Sequence, residues 1–255
     1  HRVKSVVFTA LPGLPEIKAG DDLSQIIAAA LEGAGLVPAP FDVIVVAQKI
    51  VSKAEGRVVD LNTITPSARA LELAAQTRKD ARLVEVVLSE SQEVMRAVPN
   101  VLIVRHRLGH VMANAGVDRS NVPGAGQDRV LLLPQDPDAS ADRVRSDLMA
   151  RWQVPVAVLI SDSFGRAWRN GVVNIAIGAA GLPSIIDRRG EYDREGRVLE
   201  MTEVGLADAV AAGAALVMGE ASEGTPVVLA RGLQWTATER NAAALLRSRD
   251  QDLFR

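Results

Sequence analysis

The chain of 255 residues contains no cysteine, which excludes disulfides, thiolate metal sites, iron–sulfur clusters and a cysteine nucleophile. Aromatic residues make up 3% of it, too few for the stacking platforms on which proteins bind single-stranded nucleic acid. A net charge of −2 gives no overall positive field for nucleic acid or an anionic membrane. No apolar run approaches the roughly 18 residues of a membrane span, and the N-terminal run does not resemble a signal peptide. We therefore expect a cytoplasmic protein.

Familiar site signatures are missing as well. The sequence has no G-x-x-x-x-G-K-[ST], no G-x-S-x-G and no H-E-x-x-H, and Gly124 and Gly126 do not begin a complete G-x-G-x-x-G. His106 and His110 stand four residues apart, but Gly109 between them predicts a loop or hairpin, not a metal-binding helix face. The missing G-x-x-x-x-G-K-[ST] motif excludes a conventional P-loop.

Short β-branched runs alternate with Ala- and Leu-rich stretches, which predicts a mixed α/β or α+β fold. We expect strands at residues 6–10, 41–47, 83–88, 101–105, 154–160 and 226–230, and a hairpin from 182–187 to 197–204. We expect a helix that Asp21 or Asp22 caps and that runs to residue 31, and helices at 66–77, 138–151, 205–217 and 239–249. Thr65 and Pro66 are the expected N-cap and first residue of the second helix, and the 205–217 helix should be buried.

Two polar clusters lie at predicted turns. Residues 14–22 read first as a Pro/Gly turn with a helix cap, which the residues favour over a binding site. Residues 218–226 end a predicted helix, where the acids Glu220 and Glu223 have the sign that the helix dipole disfavours. This misfit indicates a ligand role for the second cluster.

A third cluster, Gln48 with Lys49 and Lys53, follows a predicted buried strand. Only 5 of the 29 basic residues are lysine, so two in one short motif are notable. Lysines just after the end of such a strand can bind phosphate, each acting as a point charge. A solvated loop explains the pattern equally well.

Two further clusters offer oxygen ligands. Asn114, Asp118 and Asn121 surround a small-residue segment at Gly116 and suit a hard cation, although Asx-rich turns form without any ligand. The second follows residue 160, where the predicted strand should stop at Ser161, Asp162 and Ser163. There the carboxylate and hydroxyl suit Mg²⁺ or Mn²⁺, and a ligand role is favoured over a helix cap.

Arg166 and Arg169, just beyond these ligands, could steady a phosphate or a carboxylate. Asp118, Asp162, Ser163 and Glu220 thus offer oxygen-only metal coordination, while Lys53 and the arginines offer phosphate contacts. The combination indicates metal-assisted phosphoryl chemistry on a nucleotide. Two other classes stay open: a metal-dependent phosphatase or nucleotidyltransferase, and a non-catalytic nucleotide-binding module.

Five stretches, in this order, resemble the coenzyme F420-0:L-glutamate ligase family. They are LPGLPEIKAGDDL at 11–23, VVAQKIVSKAEGR at 45–57, ANAGVDRSNVPG at 113–124, SDSFGRAWRNGVVNIAIGAAGL at 161–182 and VMGEASEGTPVVLARG at 217–232. The resemblance implies one two-lobed α+β domain over 1–255 that forms an intertwined homodimer. It implies a ligase that uses GTP to activate the side chain of a deazaflavin acceptor, F420-0 or its dehydro precursor, as an acyl phosphate, which the amine of L-glutamate then attacks.

The same resemblance implies roles for individual residues. Asp118 and Asp162 would hold one divalent metal, Mg²⁺ or Mn²⁺, and Ser163 with Glu220 a second, with room for K⁺ as a further ion. Asp162, Arg166 and Lys53 would be catalytic. GTP would be bound by Leu14, Pro15, Glu16, Ile17, Gln48, Lys49, Lys53, Asn121, Met218, Gly219, Glu220, Ala221, Ser222, Glu223, Gly224 and Thr225.

Overall fold

The computed structural model describes residues 4–119, 128–219 and 224–252, and their fold is mixed α/β, as expected. The strands are β1 (Val7–Ala10), β2 (Val43–Ala47), β3 (Val58–Asp60), β4 (Ser91–Val98), β5 (Val101–His106), β6 (Val111–Ala113), β7 (Arg129–Leu131), β8 (Ala157–Arg166), β9 (Arg169–Ala180), β10 (Ile186–Asp187), β11 (Glu203–Val204) and β12 (Val227–Arg231). The helices are α1 (Leu23–Gly33), α2 (Gln48–Ala54), α3 (Ala68–Thr77), α4 (Ala81–Ser89), α5 (Pro137–Trp152) and α6 (Leu206–Met218). Short 3₁₀ turns occupy Leu61–Thr63, Asn114–Gly116, Ala242–Leu245 and Arg249–Gln251.

A central sheet of five strands, in the order β1-β12-β2-β8-β9, forms the middle layer of the fold. Its β2 and β8 are parallel and its other neighbours antiparallel. Alternate residues of β2 and β8 pack toward α1, α2 and α5 on one face and toward α6 on the other. Because both faces are covered, these strands are continuous apolar runs, and the strands predicted at 41–47 and 226–230 are confirmed.

A second, three-stranded sheet, β4-β5-β6, packs one face on α3 and α4. Its core contains Leu73, Val84, Val87, Leu102 and Val104. The strand predicted at 101–105 is confirmed as β5, but β4 lay outside every prediction. A two-stranded pair, β3-β7, lies over a small core of its own.

The strand expected at residues 83–88 is wrong, because this segment is helix α4. The Asp80 side chain caps the helix by accepting a hydrogen bond from the Arg82 amide at 2.9 Å. Val84 and Val87, three residues apart, fall on one helix face and are buried against the three-stranded sheet. Packing of this face outweighs the β preference of the valines.

Two other boundaries differ from expectation. The α3 cap is Ser67, whose hydroxyl accepts from the Ala70 amide at 3.2 Å, so Thr65 and Pro66 precede the helix. The helix expected at 239–249 is wrong, since only 3₁₀ turns form there. Amides of this segment donate instead to the Asp138 carboxylate on α5, with the Ala242 bond at 2.9 Å.

The strand expected to stop at Ser161 continues as β8 to Arg166 and forms a long hairpin with β9. The hairpin expected within 182–204 is confirmed only as the two-residue strands β10 and β11. The strand at 6–10 and the helices at 138–151 and 205–217 are confirmed, as is the Asp22 cap. Burial of α6 holds for one face only, because Leu216 is 86% exposed. Among the described residues, no helix has both the length and the apolar character needed to cross a membrane.

Candidate functional site

The candidate site lies where the parallel pairing of β2 and β8 ends. Ala47, the last residue of β2, is paired with Ser161 of β8, so Gln48, the first residue of α2, and Asp162 of β8 follow at the same edge. Ligands of open α/β sheets commonly bind at the carboxyl ends of such strands. The turn into α2 and the continuing β8 hairpin bring polar side chains to this edge.

These side chains face a cavity of about 1020 Å³ between the edge of the central sheet and the three-stranded sheet. Its polar end contains Gln48, Lys49, Asp118, Asp162 and Ser163. Residues from three separate parts of the sequence therefore meet in one space. The volume is at the upper limit of the range of about 300 to 1,000 Å³ that is usual for ligand pockets.

Lys49 and Asp118 form an ion pair at this end. The Lys49 Nζ lies 2.8 Å from Asp118 Oδ2, and the two side chains are 40% and 28% exposed. Asp118 is held in place by two backbone hydrogen bonds with Leu131, of 3.0 and 2.8 Å. Solvent screens a pair this exposed, so it contributes at most about 1 kcal/mol to stability. Lys49 and Asp118 can therefore exchange their mutual contact for contacts with a ligand at a small cost in free energy.

Asp162 and Gln48 differ in how their side chains are used. Asp162 Oδ1 accepts a hydrogen bond from the Ser163 amide at 2.9 Å, which orients the carboxylate at the cavity edge. Gln48 is buried, and its Nε2 donates to the Ser52 hydroxyl at 2.6 Å and to the Leu132 carbonyl at 3.3 Å. The Gln48 side chain thus links α2 to the backbone at Leu132, just after β7, and it also lines the cavity.

A sequence model described as F420-0:gamma-glutamyl ligase matches residues 13–232, most of the chain. The coenzyme F420:L-glutamate ligase of Methanothermobacter thermautotrophicus is 44% identical over 98% of this chain and 99% of that protein. The proteins of the same name from Methanopyrus kandleri and Methanocaldococcus jannaschii are 46% and 42% identical, over 94% and 84% of both chains. The chain belongs to the F420-0:gamma-glutamyl ligase family.

Apart from two expected nucleotide segments, the site residues expected from the resemblance to this family fall into three groups. Six of them, Gln48, Lys49, Asp118, Asp162, Ser163 and Arg166, line the one cavity. Lys53 lies one helical turn beyond Lys49 on α2, half-buried and outside the cavity lining. Asn121, Glu220, Ala221, Ser222 and Glu223 lie outside the described residues.

The first expected nucleotide segment lies apart from the cavity lining. Leu14 packs against the main core and Ile17 is buried in it, whereas Pro15 and Glu16 are exposed. The Gly20 amide donates to the Ala54 carbonyl at 2.8 Å, which places this segment beside the end of α2. A nucleotide role for these four residues stays a prediction.

The second expected nucleotide segment joins α6 to β12. Met218 is buried against the central sheet, and Gly219 ends the helix with a φ of 78°, which glycine adopts without strain. The Thr225 hydroxyl donates to the Met218 carbonyl at 2.8 Å and so fastens the two ends of the segment together, with Gly224 between them. The binding role of these residues also stays a prediction.

The histidine pair lies at a hairpin, as the glycine between the two residues predicted. His106 and His110 are buried at the β5–β6 hairpin, and His106 Nδ1 accepts from the Leu108 amide at 3.0 Å. Burial, and then the nearby His106, lowers the pKa of His110 to about 4. Across residues 4–119, 128–219 and 224–252, no three His, Asp or Glu side chains are grouped as a metal site. Asp118 and Asp162 are the carboxylates that the expected metal site has in this part of the chain.

Sequence reasoning missed the wall opposite the central sheet. It is built by Arg96 of β4, Ile103 of β5 and Val111 of β6. Residues 92–98 do not alternate between polar and apolar, because the pairing of β4 with β5 is irregular at two places, so the local sequence carried no clear strand signal. Nothing in the local sequence shows that this strand faces Asp162, because the juxtaposition is tertiary.

Proposed function

We propose that this chain is a GTP-dependent ligase that joins L-glutamate through a γ-glutamyl amide bond to coenzyme F420-0 or its dehydro precursor. Support comes from family membership across residues 13–232 and from relatives named coenzyme F420:L-glutamate ligase. The observation that carries the proposal is the meeting of Lys49, Asp118 and Asp162 in one cavity at the ends of parallel strands. Phosphoryl transfer requires such a combination of hard oxygen ligands and fixed cations.

The residues present fit a divalent metal. Asp118 and Asp162 supply carboxylate oxygens, and the ion pair of the Lys49 ammonium with Asp118 supports a cation site there. Mg²⁺ is commonly bound by one or two carboxylates together with substrate phosphates, so two suffice for one Mg²⁺ or Mn²⁺. A second ion would use Ser163 and Glu220, the latter outside the described residues. When bound, the metal would neutralise charge on the β- and γ-phosphates.

The chain's own cations then have separate tasks. Lys49 exchanges its contact with Asp118 for a phosphate oxygen, and Lys53, one turn further along α2, adds charge for the phosphate chain. Arg166, near the end of β8, stabilises the negative charge on the group being transferred. All three roles are electrostatic.

The proposed reaction balances in two steps. The acceptor's carboxylate attacks the γ-phosphorus of GTP, which forms an acyl phosphate and releases GDP. The amine of glutamate then attacks the acyl carbon, loses a proton and expels inorganic phosphate, leaving the amide. The cavity must therefore hold an acceptor and a nucleotide together, and its size of about 1020 Å³ is consistent with two ligands.

We also propose that the chain forms a homodimer. The tip of the β8–β9 hairpin exposes Trp168 by 90% and Val172 by 55%, and large apolar side chains in such positions commonly contact a partner. Sedimentation velocity tests this assembly, and a dimer is the expected species. A monomer throughout the micromolar range would overturn it.

One assay tests the ligase against its two alternatives. The protein is incubated with GTP, Mg²⁺ or Mn²⁺, glutamate and the deazaflavin acceptor, and released phosphate and product mass are measured. We expect phosphate release that requires both acceptor and glutamate, and a mass increase of one or more glutamyl residues. Without glutamate, release of phosphate would indicate a phosphatase and release of pyrophosphate a nucleotidyltransferase, and GTP binding without turnover would indicate a non-catalytic module.

A further inference from the structure

We propose that the cavity wall formed by the three-stranded sheet is the acceptor subsite, which contacts the flat face of the acceptor's heterocyclic ring and pairs the acceptor's anionic side chain with arginines. This inference rests on the proposed function, because that reaction requires an acceptor of this chemistry beside the nucleotide. The wall consists of Arg96, Ile103, Val111 and Ala113, with Phe164 from β8 beside it.

Strand register places the wall residues side by side. Arg96 is paired with Ile103 and Ile103 with Ala113, so one row crosses all three strands. Val111 lies two residues from Ala113 and thus on the same sheet face. The opposite face of this sheet is covered by α3 and α4, so the wall is the face left open to the cavity.

The wall is apolar where a ring would lie. Val111 is 45% exposed, and Ile103 is half-buried beside it. Phe164 is nearly buried, and its ring lies 5.6 Å from that of His110, which fixes the ring in place. Aliphatic and aromatic surface of this kind binds a flat heterocycle through apolar contact.

The charges nearby suit an anionic side chain. Arg96, Arg166 and Arg169 all line the cavity. Within the part of the chain that the structure describes, none of the three forms an ion pair with a carboxylate, and Arg166 donates to the Asn170 carbonyl at 3.3 Å. Guanidinium groups placed this way bind phosphate and carboxylate oxygens in a bidentate manner.

Guanine fits this wall less well than a deazaflavin does. A deazaflavin has three fused rings and guanine has two, so the deazaflavin offers a larger flat face to Ile103, Val111 and Ala113, whose side chains provide apolar contact and no hydrogen bonds. Asp252 also lines the cavity, and a carboxylate could accept hydrogen bonds from a guanine edge. Its carboxylate, however, already pairs with the buried Arg105 at 3.3 Å. The nucleotide phosphates are better served by the Lys49 end of the cavity.

The test compares binding of the two ligands to Val111→Glu and Arg96→Gln variants of the whole chain. Titration calorimetry measures the Kd of the deazaflavin acceptor alone and, separately, that of a non-hydrolysable GTP analogue with Mg²⁺. Each variant should raise the acceptor Kd by about tenfold or more, since each loses apolar contact or a charged hydrogen bond. The Kd of the GTP analogue should stay within about twofold of wild type, because no phosphate contact changes.

The matched controls are the same two amino-acid changes made at positions outside the cavity lining. Val101→Glu changes an exposed valine of the same sheet, and Arg69→Gln removes an exposed arginine on α3. Both should leave both affinities unchanged. Thermal unfolding checks the fold, and Val111→Thr, nearly isosteric, replaces Val111→Glu if the latter fails to fold, with a smaller rise in the acceptor Kd.

The outcomes separate this inference from the ligase proposal. If the variants bind the GTP analogue more weakly and the acceptor as wild type does, the wall belongs to the nucleotide site. If the affinity for both ligands is unchanged, the wall binds neither. Either result overturns the acceptor subsite even if wild-type protein glutamylates the acceptor normally. Conversely, wild-type protein that binds the acceptor but forms no amide refutes the ligase, while the variants still decide the subsite.

Discussion

Two groups of charged side chains show how differently this fold uses ionic contacts. Lys49 and Asp118 pair in the open at the cavity edge, whereas Glu90, with an 11% exposed side chain, is enclosed between α4 and β4. Glu90 Oε2 lies 2.9 Å from an Arg57 nitrogen and 3.0 Å from an Arg107 nitrogen. A buried carboxylate with two cationic partners cannot change partners cheaply, but an exposed pair can.

The partners of Glu90 explain what its cluster does. Arg57 also donates to the Leu133 carbonyl at 2.9 Å, and Arg107 to the Gln135 carbonyl at 2.8 Å. One carboxylate thereby connects the segment after α2, the β5–β6 hairpin and the chain leading into α5. We infer that this cluster maintains the position of the three-stranded sheet, while the Lys49 end of the cavity binds ligands.

The largest effect should come from Asp162→Asn at the ligand-binding end. We expect GTP-dependent glutamylation to fall by about a thousandfold or more, because a metal-binding carboxylate supports several kcal/mol of charge stabilisation. The free energy of unfolding should be nearly unchanged. Steady-state kinetics and urea unfolding measure the two quantities.

The control for this variant is Asp142→Asn, an exposed carboxylate on α5 outside the cavity. It should retain wild-type activity. Near-normal activity of Asp162→Asn would contradict the metal assignment.

Glu90→Gln should have the opposite profile. Removing the charge leaves Arg57 and Arg107 partly buried without a counterion, so we expect a loss of about 3 kcal/mol of unfolding free energy. Urea unfolding measures it, with Glu72→Gln, an exposed partner of Arg69, as a control that should change little. A loss equal to that of the control would show that the buried cluster does not stabilise the fold.

Acid should weaken the fold in two pH ranges. Although burial favours the neutral acid, the nearby His106, whose Nε2 lies 3.5 Å from Glu90 Oε2, and the charges of Arg57 and Arg107 lower the pKa of Glu90 from 4.5 to about 2. Its contribution is therefore full above pH 4.5 and lost as the pH falls toward 2. The pKa of His110 is lowered from 6.5 to about 4. The unfolded chain therefore takes up a proton at this histidine before the folded chain does, and the free energy of unfolding falls as the pH drops from 6.5 to 4.

Unfolding free energies measured from pH 7 to pH 2 test both ranges. Glu90→Gln should flatten the curve below pH 4.5, and His110→Gln should flatten it between pH 6.5 and 4. Curves parallel to wild type would contradict these pKa values.

Lys49→Met should change stability far less than Glu90→Gln. We expect a change of at most about 1 kcal/mol in unfolding free energy, because solvent screens the pair with Asp118. The affinity for GTP should nevertheless fall. A stability loss as large as that of Glu90→Gln would remove the distinction between the two groups.

Long apolar runs made β2 and β12 of the central sheet predictable, whereas β9 was in no prediction. The run at 41–47 and the helix at 138–151 needed no knowledge of their partners, because their pattern and caps identify them. Residues 83–88 misled because a valine-rich helix and a buried strand have the same composition over six residues. The C-terminal segment misled because the carboxylate of Asp138, a hundred residues away, takes its amides.

The candidate site was predictable in part for a similar reason. Lys49 and Asp162 follow strands that were recognised, and those strands turned out to be parallel neighbours. The wall containing Ile103 and Val111 was not predictable, since its position depends on how the second sheet packs rather than on local sequence.

Mn²⁺ binding in the presence of GTP, followed by electron paramagnetic resonance, tests the assignment of the ligand-binding end most directly. Wild-type protein and Glu72→Gln should bind Mn²⁺ alike, and Asp118→Asn and Asp162→Asn should each weaken binding by about tenfold or more. Unchanged Mn²⁺ affinity in both aspartate variants would contradict the proposed metal and nucleotide site at the ends of β2 and β8.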